Sequence, residues 1–196
     1  MSHGTLVLVR HGETAWSLSG QHTGRTDIPL TPEGERKAAS LRPRFADARP
    51  DLILCSPLGR ARRTAELAGL WPADIDEDLL EWDYGRWEGQ TTAQIRAEIH
   101  DPDWTVWSAP IPGGPTPGEQ PEDVAIRAAR VIRRCEPTLD RGGMCALVAH
   151  GHFLRILTAT WLGLPAVDGR LWVLDAGAIS RLGFEREQRA ILTWNS

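Results

Sequence analysis

The chain has 196 residues, a length that suits one α/β domain with a sizeable core. Its 22 basic and 26 acidic side chains leave a formal net charge of -4, which offers no basic footprint for nucleic acid. No apolar run approaches the ~18 residues of a membrane span, so we expect no membrane partner and a cytoplasmic chain without a targeting segment.

Thr5 to Val9 (TLVLV) is a short β-branched apolar run and reads as a strand buried on both faces. It stops at Arg10-His11-Gly12. Thr31-Pro32 pairs an N-cap hydroxyl with proline at the first helical position, which predicts a helix running toward Phe45. Asp51 to Cys55 repeats the strand pattern and ends at Ser56-Pro57, where the same cap signal predicts a helix to about Leu70. Asp101 to Pro121 holds six prolines and several glycines, and we read it as an ordered cover rather than a linker. Trp82, Trp87, Trp104 and Trp107 bracket this insert and are expected mostly to pack beneath it.

Ala125 to Leu139 has the apolar spacing of an amphipathic helix. Met144 to Ala149 is a third apolar strand, ending at His150-Gly151, and Phe153 to Leu162 is a helix stopped by Gly163 and Pro165. Leu171 to Leu174, Ile179 to Phe184 and Ile191 to Trp194 read as late strands. The pattern predicts a three-layer α/β sandwich around a mostly parallel sheet, with ligands beyond the carboxyl ends of the strands. Cys55, Cys135 and Cys145 lack metal-ligand spacing and read as buried free thiols.

Three strands thus end in reactive side chains. A histidine such as His11 at the end of a buried strand can be held rigidly, and neutral imidazole is a competent nucleophile toward phosphorus. Arg10 can neutralise a phosphoryl oxygen, and Gly12 permits close backbone approach. Arg60, in the first turn of its helix, is misplaced for the helix dipole unless an anion binds there; a solvated basic face suits Arg62 or Arg63 better. His150 brings a second histidine to the same sheet edge.

These elements, with Gln21 to Gly34 and Leu80 to Gly89 (LEWDYGRWEG), resemble the histidine phosphatase superfamily in its phosphoglycerate mutase-like branch. The resemblance implies a metal-independent, cofactor-free phosphomonoesterase with a phosphoglycerate mutase-like fold. It implies that His11 attacks phosphorus, that Arg10, Arg60 and His150 stabilise the phosphoryl charge, and that Glu81 is the general acid and then the base.

Trp16 to Gly24, Glu81 to Gly85 and His150 to Arg155 look like actinobacterial broad-specificity acid phosphatases and fungal sedoheptulose-1,7-bisphosphatase. Ser17, Thr23, Gly24, Tyr84, Gly151 and His152 are therefore the candidate substrate contacts. Arg155 is read equally as a second-phosphate contact or an ion-pair residue, and His22 as a surface residue.

The expected substrate is a small phosphorylated metabolite, a sugar phosphate or a broad set. A cofactor-dependent phosphoglycerate mutase is the alternative, and a silent phosphate-binding module a further one. Between Trp87 and Ile126 the chain has only Arg96 as a basic residue against seven acidic ones, a poor clamp for a phosphoglycerate carboxylate. Apolar late strands and tryptophans offer a face for a homodimer.

Overall fold

In a computed structural model, which describes residues 3–196, six strands form one sheet in the order β3-β2-β4-β1-β5-β6. They are β1 (Thr5–Arg10), β2 (Leu52–Cys55), β3 (Asp74–Ile75), β4 (Met144–Ala149), β5 (Ile179–Glu185) and β6 (Gln188–Thr193). The first four are parallel, and β5 and β6 join antiparallel. Successive side chains of β1 point to opposite faces: Leu6 and Leu8 enter one core, Val7 and Val9 the other. Both cores exclude water, which is why these strands are continuous apolar runs.

The helices are α1 (Ala15–Ser19), α2 (Pro32–Ser40), α3 (Gly59–Leu67), α4 (Thr92–Ile99), α5 (Pro121–Leu139) and α6 (Gly151–Leu162). Those of the α2–α3 side close over Val7, Val9, Ile53 and Val148, while α5 and α6 cover Leu6, Leu8, Leu54 and Leu147. Among the described residues no helix is long and apolar enough to cross a membrane.

Several expected boundaries move. The helix capped by Thr31 ends at Ser40, and Arg42–Phe45 continues as a 3-10 turn. Pro43 disfavours helical geometry at Arg42 and cannot donate to a preceding turn. The helix after Ser56-Pro57 starts only at Gly59, with Leu58 at its N-cap, because the Ser56 hydroxyl is engaged by His150 Nε2 at 2.8 Å.

Helix α5 begins at Pro121, a turn earlier than Ala125, where the Asp123 carboxylate accepts the Gln120 N–H at 2.9 Å. Leu171–Leu174 is not a strand; it leaves a 3-10 turn over Ala166–Leu171 and pairs with nothing in the sheet. The proline-rich insert is ordered, and Trp82, Trp87 and Trp104 are buried.

Candidate active site

Strands β2, β4 and β1 are neighbours, so their carboxyl ends deliver Ser56, His150 and Arg10-His11 to one edge. Arg10 pairs in register with Ala149, which sets His11 beside His150 with ring centroids 5.1 Å apart. The two rings meet because two parallel strands end level, not because the residues are close in sequence.

The His11 backbone is fixed on both sides, its N–H on the Ala149 carbonyl and its carbonyl on the Gly177 N–H. Its Nδ1 lies 2.7 Å from the Gly12 carbonyl. A carbonyl can only accept, so Nδ1 carries the ring proton and Nε2 keeps a free lone pair. Burial first, then the charges of Arg60 and Arg10, push the His11 pKa well below the ordinary histidine value.

Gly12 cannot carry a side chain here, because a Cβ would stand 2.5 Å from the Gly34 carbonyl oxygen. Arg10 donates Nη1 to the Leu174 carbonyl, while its buried Nε has no partner among the described residues. A buried guanidinium donor left unsatisfied beside a nucleophilic nitrogen is what an oxyanion would complete.

Glu81 is buried at the first turn of α6. Its Oε1 accepts the N–H groups of Phe153 (2.8 Å) and Trp82 (2.9 Å), and Oε2 accepts that of His152 (3.1 Å). The carboxylate therefore caps the helix that follows His150, and Oε2, with one donor instead of two, has room for a proton.

One cavity of about 290 Å³ collects most of the expected residues: Arg10, His11, Ser17, Thr23, Glu81, Tyr84, Gly151, His152 and Arg155 line it. Tyr84 Oη and His152 Nδ1 are 2.6 Å apart. Burial holds the Tyr84 pKa well above, and that of His152 well below, their ordinary values, so both are neutral. The Ser17 hydroxyl is partly committed, since it accepts the Thr14 N–H at 2.9 Å in the cap of α1. Arg155 donates Nε to the Gly169 carbonyl and lies over the Trp107 ring at 4.8 Å; it has no acidic partner among the described residues.

Three expected contacts stand behind the cavity wall. Arg60 is 1% exposed; it donates Nη2 to the carbonyls of Thr23 and Gly24, Nη1 to that of Thr26 and Nε to His150 Nδ1. Gly24 presents this carbonyl to Arg60 and its N–H to Glu88. His150 accepts at Nδ1 and so donates Nε2–H to Ser56 Oγ; its pKa is likewise well below the ordinary value, through burial and then Arg60.

The anion expected at the start of the Arg60 helix is a residue of the chain itself. Asp27 Oδ2 accepts the Gly59 N–H at 2.7 Å. Other residues were not anticipated: Gly20, Gln21, Thr92 and Leu174 also line the cavity. His22, expected at the surface, is 9% exposed and lines it too, its ring 4.9 Å from that of Tyr84.

Comparison with known proteins gives a consistent picture. The family model for the histidine phosphatase superfamily (branch 1) matches residues 6–196. The chain is 37% identical to an acid phosphatase of Mycobacterium tuberculosis over 95% of this chain and 89% of that protein. It is 35% identical to the sedoheptulose 1,7-bisphosphatase of Saccharomyces cerevisiae, over 81% of this chain and 67% of that one. It is 33% identical to an Escherichia coli protein named "Probable phosphoglycerate mutase GpmB", over 92% and 85%. The solved Mycobacterium tuberculosis protein Rv3214 superposes with a TM-score of 0.88 at 36% identity, covering 98% of this chain and 97% of that one.

Proposed function

The chain belongs to the histidine phosphatase superfamily, and from that premise we propose that His11 carries the phosphoryl group in hydrolysis of small phosphorylated metabolites. It is a phosphatase of the histidine type, acting on phosphate esters. The observation that carries the residue assignment is the His11 ring: Nδ1 is tied to the Gly12 carbonyl, which leaves the Nε2 lone pair free, and His11 lines a cavity with Glu81 and with Arg10, whose Nε has no partner among the described residues.

In the first step the His11 Nε2 lone pair attacks phosphorus, the P–O ester bond breaks, and the leaving alkoxide takes a proton from Glu81 Oε2. Arg10 balances charge on the transferring oxygens. In the second step water gives a proton to Glu81 and its oxygen attacks phosphorus; the N–P bond breaks with its electron pair returning to Nε2, which releases phosphate and neutral His11. Arg60 and His150 act from behind the wall: Arg60 fixes the His150 tautomer and the Thr23–Thr26 turn, and His150 packs beside the nucleophile.

Hydrolysis is favoured over mutase chemistry by the insert. The insert carries no arginine or lysine, and Arg96, the single basic residue between Trp87 and Ile126, donates Nε to the Trp104 carbonyl at 2.8 Å and does not line the cavity. Ser17, Thr23, Tyr84, Gly151 and His152 contact the leaving group, and Gly24 holds the turn through Arg60. The Arg155 Nη groups favour substrates with a second anionic group, as in sugar bisphosphates.

We place this activity in one cytoplasmic domain without a nucleic-acid or membrane partner, a location supported by three free buried thiols. Exposed Leu171, Val173 and Leu192 support a homodimer, which sedimentation would test.

The test of the mechanism is phosphate release from p-nitrophenyl phosphate, sugar bisphosphates and phosphoglycerates, with a chelator present, by wild type and His11→Ala. Turnover that is lost by more than about 1,000-fold in the variant is expected. Full activity in His11→Ala would remove the phosphohistidine, and interconversion of phosphoglycerates only after bisphosphoglycerate priming would replace hydrolysis by the mutase reaction.

A further inference from the structure

Arg127 lies outside the cavity, on α5, and is 7% exposed. A buried arginine is costly unless every donor is answered. Here each of its five N–H groups is answered. Nη1 reaches the carbonyls of Asp78 (2.7 Å) and Leu80 (2.8 Å), and Nη2 that of Glu81 (3.3 Å). Nε and Nη2 take the two oxygens of Glu119 at 2.7 and 2.9 Å.

Glu119 in turn binds the loop from the other side. Its carboxylate accepts the Asp83 N–H at 3.0 Å, and its carbonyl accepts Trp82 Nε1 at 2.7 Å. The guanidinium also lies over the Phe153 ring at 5.1 Å, and the Phe153 N–H holds Glu81 Oε1. Residues on both sides of Glu81, and one of the amides its carboxylate accepts, are thus pinned to a single ion pair.

We propose that Arg127, with Glu119 of the proline-rich insert, is a positioning residue for Glu81. It fixes the loop by its carbonyls so that the carboxyl group meets the leaving oxygen, and it makes proton delivery depend on the insert being docked. This rests on the reading of Glu81 as the general acid. Lysine cannot replace arginine in the role, having three donors on a flexible stem where five in a rigid fork are used.

The test compares kcat/KM for p-nitrophenyl phosphate, whose phenolate departs without a proton, with that for glycerol phosphate, whose alkoxide needs one. Glu81→Gln, Arg127→Gln, Arg127→Lys and Glu119→Gln are measured against wild type, with melting temperatures. Glu81→Gln is expected to lose about 100-fold more on glycerol phosphate than on the aryl ester. Arg127→Gln and Glu119→Gln should show the same selective loss at about tenfold, unrescued by Arg127→Lys and absent when added to Glu81→Gln.

Equal losses on both esters, following the melting temperature, would reduce Arg127 to a fold-stabilising residue and overturn the proposal. If Arg127→Gln does not fold, Glu119→Gln alone decides, because it keeps the arginine and loosens the clamp. If Glu81→Gln shows no preference between the esters, the general-acid reading itself fails, a result distinct from selectivity in Glu81→Gln without selectivity at Arg127.

Discussion

Arg10 and Arg60 have two effects on His11, and both favour attack on phosphorus. Their charges, after burial, disfavour the imidazolium and keep the ring nucleophilic, while Arg10 offers a donor to the anion being attacked. The neutral ring is the reactive form, and its pKa lies well below the ordinary value near 6.5, so the free enzyme should keep the nucleophile unprotonated well into acid. Proton NMR of the histidine ring signals should show no titration near pH 6.5 that disappears in His11→Asn; such a signal would contradict the electrostatic account.

The same scale shows why some side chains escaped the sequence. A lone histidine carries no periodicity, and His22 is buried by Tyr84 and Trp104, which lie far along the chain. Arg10, His11 and His150 were legible because each ends an apolar run. The retreat of Arg60 behind the wall was not, since its partners are backbone carbonyls at Thr23, Gly24 and Thr26, which every residue type provides.

At the level of elements, α3 shows a cap supplied from elsewhere. Leu58 sits at its N-cap with no capping side chain, and the Ser56 hydroxyl is engaged by His150. Asp27, from the turn that Arg60 holds, accepts the Gly59 N–H instead and also lies 3.8 Å from Arg60 Nη1. Asp27→Ala should therefore cost about 1 kcal/mol, the usual worth of an N-cap. It should also lower kcat/KM, because the turn carrying Thr23 loosens. Denaturant unfolding and steady-state kinetics check both; an unchanged midpoint would mean that water replaces the carboxylate without loss.

Strands β1, β2 and β4 were legible because a parallel strand buried on both faces must be apolar throughout. Helix α4 was not, because Ile95 is its one buried residue and a single apolar position makes no stripe. Leu171–Leu174 imitates a strand in composition, yet Leu171 and Val173 are exposed and no neighbouring strand offers a ladder. Strand pairing is a property of the partner as much as of the segment.

For the whole molecule, the site makes the fold sensitive to acid. Four histidines, His11, His22, His150 and His152, have folded pKa values below the ordinary one, each with burial as the leading cause, and His22 is pushed down to about 4. In the unfolded chain each would titrate near 6.5. Below that pH the unfolded state binds more protons than the folded one, so stability is fully present above about 6.5 and falls as the pH drops toward each folded pKa.

For His22 alone the loss reaches about 3 kcal/mol by pH 4, a large share of the stability of an ordinary domain. The other three add to it in the same direction. Asp78, whose pKa is lowered by its hydrogen bonds with Arg130, adds stability that is intact above the ordinary carboxylate value and is lost only as the pH falls below it. Urea midpoints should accordingly be level from pH 8 to 7 and decline steadily from 6.5 to 4.5, with a shallower decline in His22→Gln. Midpoints that stay level to pH 4.5 would show that these rings are not held neutral by the fold. Because the same burial keeps His11 reactive in acid, the acid limit of turnover should follow unfolding and not protonation of the nucleophile.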